Sequence, residues 1–368
     1  MKTFDYWNNL SAKGNLVEFS ENKTGLLWLK LKSIIRVDLI KEFLKTANLK
    51  VSSNKQNEIF KELFEILSKE VDKSHIILDN FIVDISKKQI ANINIDKLVS
   101  ELYKLKNFEW GGDYQNSLDK YLISRYIKTE NYSYDNLVSK FDTEINSTVR
   151  GYVLNSWYNY WSSILIENIF KLHKSVLPTA GKIKSVDFFI DNIPFDLKVT
   201  YLPAEYIKLK RKEKGLPVEL TFLKQKAKEA NIIFNEKNAI YEIMEKFKDK
   251  NNVFCKKTLQ TLKNENLEIL QYTKNNPKDL IKWLYENQGE MRFGSENRIF
   301  IVLIDTNNFN DSWKLKRNLD LLKPKINFYL DNFKYKKLDD LKIDFNFKGN
   351  LFYTFADIIF VENNRIIK

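Results

Sequence analysis

The chain has 368 residues, 60 Lys and Arg against 48 Asp and Glu, and a net charge of +12, with 43% hydrophobic and 29% charged residues. That length suggests more than one domain or a core with a large insertion, and the positive balance favours a polyanionic partner such as nucleic acid. A Lys-, Asn- and Ile-rich composition is the plainer source of the same charge. One cysteine, Cys255, and two histidines, His75 and His173, exclude an intrachain disulfide and leave too few ligands for a zinc site of about three or four N or S donors.

Neither histidine lies in a nucleophile-elbow context, which disfavours Ser-His-Asp and Cys-His hydrolases. The phosphate-cradling patterns of ATPases, kinases and dinucleotide enzymes are missing from the sequence, so no nucleotide cofactor is expected. No run approaches about 18 apolar residues and the first residues carry no apolar signal core; the expectation is a soluble, cytoplasmic protein without a membrane partner.

In chain order, residues 1–145 read as a mostly helical region. Apolar residues recur at three and four in RVDLIKEFLKTA (36–47), NEIFKELFEILSKEV (57–71) and NIDKLVSELYKL (94–105). Segments 25–37 and 75–84 are rich in alternating or β-branched residues and are candidates for strands. Gly111-Gly112 marks a loop. Residues 153–173 form a long apolar, aromatic helix, broken by the LPTAG that follows. His173 at its end is read as a partner of the helix dipole, His75 as similarly structural.

Two strands are predicted over 183–190 and 193–200, then a basic helical insertion over about 204–296. RIFIVLID (298–305) has the continuous apolar pattern of a strand buried on both faces. Asp311 or Ser312 is a candidate cap for a helix kinked at Pro324, and YTFADIIFV (353–361) is a last buried strand. The fold class is α/β (α+β), with a core over 146–368.

The chemistry concentrates in VDFFIDNIPFDLK (186–198). Asp191-Asn192 suits a two-residue hairpin turn, because both residues tolerate positive φ. Residue 190 then faces 193, 188 faces 195, and Asp187 lies opposite Asp196. Val186, Phe188, Ile190, Ile193, Phe195, Leu197 and Val199 form the apolar face, and Asp187, Asp196 and Lys198 share the other. Facing carboxylates repel unless a cation lies between them, and oxygen ligands favour Mg²⁺, with Mn²⁺ as a substitute. A surface hairpin whose polar face carries an Asp-Lys pair is the plainer alternative.

Asp187, nine residues before Asp196-Leu197-Lys198, resembles the motif of the PD-(D/E)XK nuclease superfamily, which includes many type II restriction endonucleases. Val186 stands where that motif usually has proline. The resemblance implies a restriction-endonuclease-like αβββαβ core with a mixed central sheet. It implies metal held by Asp187 and Asp196, an attacking water served by Lys198, and a glutamate from the preceding helix. Glu167 is the candidate for that glutamate; its alternative is a polar stripe with Asn168 and Lys171.

The expected activity is Mg²⁺-dependent endonucleolytic hydrolysis of double-stranded DNA by a homodimer. The alternatives are a repair, transposition or RNA nuclease of the same superfamily, or a non-catalytic DNA-binding protein on that fold. Candidate phosphate contacts are Lys208, Lys210, Arg211, Lys212 and Lys214, which follow the hairpin directly, together with Arg292 and Arg298. Their plainer readings are a solvated helix face and local ion pairs. Trp157, Tyr158, Tyr160 and Trp161 are read as core aromatics.

Overall fold

The computed structural model describes residues 2–13, 16–108, 117–128, 134–235, 239–287 and 296–364. Gly111-Gly112 and Arg292 lie outside them. The helices that open the chain are α1 (Phe4–Ala12), α2 (Val17–Ser20), α3 (Lys23–Ser33), α4 (Val37–Thr46), α5 (Gln56–Leu67), α6 (Val71–Ala91), α7 (Ile95–Leu102), α8 (Leu118–Leu122), α9 (Tyr134–Lys140) and α10 (Asn146–Lys171). Three strands follow, β1 (Val176–Ile183), β2 (Val186–Ile190) and β3 (Ile193–Tyr201), and then the insertion α11 (Ala204–Glu213), α12 (Glu219–Glu229), α13 (Ala239–Lys250), α14 (Val253–Asn275) and α15 (Pro277–Asn287). The chain closes with β4 (Arg298–Asp305), α16 (Leu319–Asn332), α17 (Leu338–Leu341), β5 (Lys342–Phe347) and β6 (Asn350–Asn363).

The fold is α+β, with a mixed six-stranded sheet in the order β1-β2-β3-β4-β6-β5. β1, β2 and β3 are antiparallel neighbours, β3 to β4 and β4 to β6 are parallel, and β5 pairs antiparallel with β6. The chain divides into two compact units, and the division falls inside β3. The first holds Met1–Trp7, Phe19–Phe195 and Asn310–Tyr335; the second holds Asn8–Glu18, Asp196–Phe309 and Lys336–Lys368.

In the first unit both candidate strands of the N-terminal region are helices. Residues Gly25 to Leu31 in α3 are buried without interruption, so this helix has no polar face to give a 3.6-residue rhythm. Its start is fixed by Asn22, whose side chain accepts from the amides of Thr24 and Gly25. The β-branched run 75–84 lies within α6, where Leu78, Phe81, Ile82 and Ile85 make a helical stripe and outweigh local strand preference. His75 therefore sits in the body of a helix and not at a C-terminus.

β1 takes up LPTAG, which the sequence reading treats as a break. Pro178 is tolerated there because β1 is an edge strand, and a proline needs no ladder donor on an open edge. α3 and α6 pack on β1. A Cβ on Gly181 would lie 2.5 Å from the Ser33 carbonyl oxygen, so only glycine lets the end of α3 approach this closely.

In the second unit β4 is buried on both faces, as its composition predicts: Phe300, Val302 and Ile304 join the core made with Leu280, Ile281 and Leu284 of α15, while Ile299, Ile301 and Leu303 are also fully buried. The final strand is longer than expected and is half of a hairpin with β5, turned at Lys348-Gly349, both of positive φ. Residues 309–317 form a 3₁₀ segment, and Asn318, not Asp311 or Ser312, caps the helix that contains Pro324. No helix among the described residues is long and apolar enough to cross a membrane.

Candidate active site

The hairpin adopts the register expected of it. Ile190 pairs with Ile193 and Phe188 with Phe195, and Asp191 and Asn192 have φ of 50° and 62°. The recorded ladder ends at Phe188 and Phe195. Asp187 is half-buried in the first unit, where its carbonyl accepts from Thr179 Oγ1 at 3.1 Å. Asp196 opens the part of β3 that belongs to the second unit. The face expected to be polar is closed over near the turn, since Phe189 and Pro194, which alternate onto it, are buried.

The turn itself is held from the N-terminal region. Lys30 is 1% exposed, and its Nζ donates to Asp79 Oδ2 at 2.9 Å and to Asn192 Oδ1 at 3.3 Å, with His75 Nδ1 at 3.2 Å. Burial lowers the Lys30 pKa more than Asp79 raises it; burial and the Lys30 charge lower that of His75. This is the structural role expected of His75 by another route. His173, just past α10, has Nε2 3.3 Å from Asp331 and Nδ1 2.8 Å from Ser175 Oγ.

Four charges meet at the head of the parallel pair β3 and β4, where Asp196 is the neighbour of Arg298. Lys198 Nζ donates to Asp196 Oδ1 at 2.9 Å and lies 2.8 Å from Oδ2. Arg298 Nε is 3.4 Å from Asp196 Oδ2, and Arg298 Nη2 donates to Glu296 Oε2 at 2.7 Å. The guanidinium is thus shared by two carboxylates, closely with Glu296 and loosely with Asp196. It also lies 5.1 Å from the centre of the Tyr285 ring. Asp196 is 7% exposed and Glu296 2%. Burial raises the Asp196 pKa, Lys198 and Arg298 pull it down, and Glu296 adds to the rise.

The peptide that carries Glu296 is anchored on three sides. Its carbonyl accepts from Tyr285 Oη and Thr354 Oγ1, both at 2.7 Å. Asn297 Oδ1 accepts from the Phe355 amide at 3.1 Å, and the Asn297 carbonyl accepts from the Asp196 amide at 2.9 Å. Buried polar groups bonded this completely fix the positions from which the charged side chains start. Glu296 is a site residue that the sequence reading missed. Its one signal was an acidic residue two before Arg298 at the mouth of a buried strand, and only the parallel register makes it a neighbour of Asp196.

The other predicted site residues stand as follows. Glu167 on α10 receives Lys171 Nζ at 2.9 Å, one turn along the same helix. Arg298 is 17% exposed and engaged as above, so the local ion pair describes it. Arg211 is fully buried: Nε donates to the Pro217 carbonyl, Nη2 to Glu265 at 2.7 Å and Nη1 to Asn266. It ties α11 to α14 and is corrected from phosphate contact to core anchor. Lys210 pairs with Glu213, Lys214 with Glu268 and Lys208 with Glu205, while Lys212 is exposed. Tyr158 is buried and donates to the Trp313 carbonyl, the core role expected of it; Tyr160 is 58% exposed.

Asp196 Oδ2 is buried, with Lys198 Nζ at 2.8 Å and Arg298 Nε at 3.4 Å. Among the described residues no group of three or more His, Cys, Asp or Glu side chains that could hold a metal ion converges. No family model matches the chain, and no curated protein and no solved structure matches it.

Proposed function

We propose that the protein is a metal-dependent nuclease that hydrolyses phosphodiester bonds of double-stranded DNA, in the manner of a type II restriction endonuclease. One observation carries the reading: Asp196, buried on a strand of a mixed sheet, has the Lys198 ammonium two residues on bound to its carboxylate. The element order supports it: helix α10 precedes the three antiparallel strands β1 to β3, the helices α11–α15 follow, and β4 then pairs parallel with β3.

In this reading Asp196 would hold Mg²⁺, and the sequence motif adds Asp187 as the expected second ligand and Glu167 as a candidate third. The ion would polarise the phosphate and lower the pKa of a bound water. Lys198, which is ion-paired with Asp196, would orient that water or neutralise charge developing on the phosphate. The exposed Lys208 and Lys212 of α11, and Lys214 just past its end, would supply phosphate contacts. Cutting both strands favours a homodimer.

Incubation with plasmid DNA and Mg²⁺ tests the reading. Cleavage is expected from the wild type, with losses of about 10²-fold or more in Asp196→Asn and Lys198→Ala. Metal-dependent cutting that survives both substitutions would sink it. The four mutually neutralising charges also fit a second reading, a structural cluster in a non-catalytic DNA-binding protein. Asp196→Asn would then lower the unfolding midpoint and leave DNA binding intact in EDTA.

A further inference from the structure

The guanidinium of Arg298 lies between two carboxylates but is not shared equally. Its contact with Glu296 is 2.7 Å and direct; its approach to Asp196 is 3.4 Å and makes no hydrogen bond. Glu296 cannot follow a wandering guanidinium, because its peptide is bonded to Tyr285 and Thr354 and its side chain is buried. Tyr285, whose ring faces the guanidinium, closes another side. Arg298 is therefore a fixed positive charge held just short of full engagement with Asp196.

We propose that Glu296 and Arg298 are a positioning pair that sets how tightly Asp196 binds a divalent cation. Arg298 opposes the cation by its charge, and Glu296 limits that opposition by holding the guanidinium to itself. The proposal rests on the reading of Asp196 as a metal ligand. Its content is a pair of opposite signs. Removing the Arg298 charge leaves Glu296 without its partner and Asp196 with Lys198 but without the guanidinium, so the cluster becomes more negative and affinity for the cation rises. Neutralising Glu296 removes a negative charge and frees the guanidinium to close on Asp196, so affinity falls. A merely structural role for the two residues predicts losses from both.

Mn²⁺ binding to the full chain, followed by electron paramagnetic resonance of the free ion at fixed pH, reads this directly and needs no cleavage. Arg298→Gln is expected to tighten Mn²⁺ by about tenfold, the order for one unit charge at this range in a partly screened site. Arg298→Lys keeps the charge and stays near the wild type. Glu296→Gln, nearly isosteric, weakens binding severalfold, and the double variant Glu296→Gln/Arg298→Gln returns towards the wild-type value. Should Arg298→Gln fail to fold, Arg298→Met, which also lacks the charge, takes its place; unchanged or tighter binding in Glu296→Gln overturns the proposal in either case.

Asp196→Asn separates the two levels. Mn²⁺ binding that it abolishes, but that is indifferent to positions 296 and 298, overturns this inference alone. Binding that survives Asp196→Asn, or a wild type that binds no Mn²⁺, overturns the metal reading beneath it as well.

Discussion

Lys316 shows how far a single residue can depend on its surroundings. It is 7% exposed, its Nζ donates to Asn159 Oδ1 at 2.8 Å, and burial lowers its pKa to about 8. In the unfolded chain a lysine titrates near 10.4. Between about 8 and 10.4 the unfolded state therefore binds more protons than the folded state, and stability rises with pH across that window. Below about 8 both states are protonated and the cost of burying the charge is fully present. Urea unfolding at pH 7.5 and 9.5 is expected to show Lys316→Met losing its relative advantage by about 1–2 kcal/mol at the higher pH. An equal difference at both pH values would contradict this assignment.

Residue chemistry also separates what was legible at the site from what was not. Asp196 and Lys198 stand out because a period of two in an apolar hairpin exposes any charged position. Glu296 does not, because its relation to Asp196 passes through a parallel pairing between strands nearly a hundred residues apart. Arg211 misled for the same reason: a basic run looks solvated until Glu265 and Asn266 of a distant helix are brought against it.

At the scale of elements, the β2–β3 turn is the best defined feature. Its two positive-φ residues match the hairpin expected of Asp-Asn, and Lys30 adds a tertiary clamp on Asn192. Asn192→Ala imposes a strained backbone and removes the clamp, with an expected cost of about 2–3 kcal/mol. Asn192→Gly relieves the backbone and loses only the clamp, so about 1 kcal/mol. Thermal unfolding of the two variants measures the difference; equal losses would mean that the turn conformation contributes nothing.

The misread elements share a cause. α3 is buried all round and β1 carries a proline on an open edge, so each lacks the periodic signal of its own class. Helices with one wet face, such as α4 and α5, were legible because their apolar stripes are local.

At the scale of the molecule, the proposed function together with the net charge of +12 predicts that any DNA binding depends steeply on salt. With about six phosphates neutralised, affinity falls roughly 10³-fold between 50 and 200 mM salt, which a filter-binding or anisotropy titration would read. Arg211→Gln is expected to leave that slope unchanged, since its guanidinium is buried against Pro217, Glu265 and Asn266, while lowering stability by about 3 kcal/mol through the stranded Glu265. A smaller salt slope in this variant would restore Arg211 to the interface.

By itself the sequence determined the hairpin, its turn and register, the doubly buried β4, and the helical character of most of the rest. All of these follow from side-chain periodicity and backbone preference within a few neighbouring residues. Only the tertiary structure decided which charges meet: Lys30 with the hairpin turn, Arg211 with Glu265, and Asp196 with Arg298 and, through it, Glu296. Ion pairs and buried hydrogen bonds act over a few ångströms in space, and no spacing along the chain records which distant segments the fold brings that close.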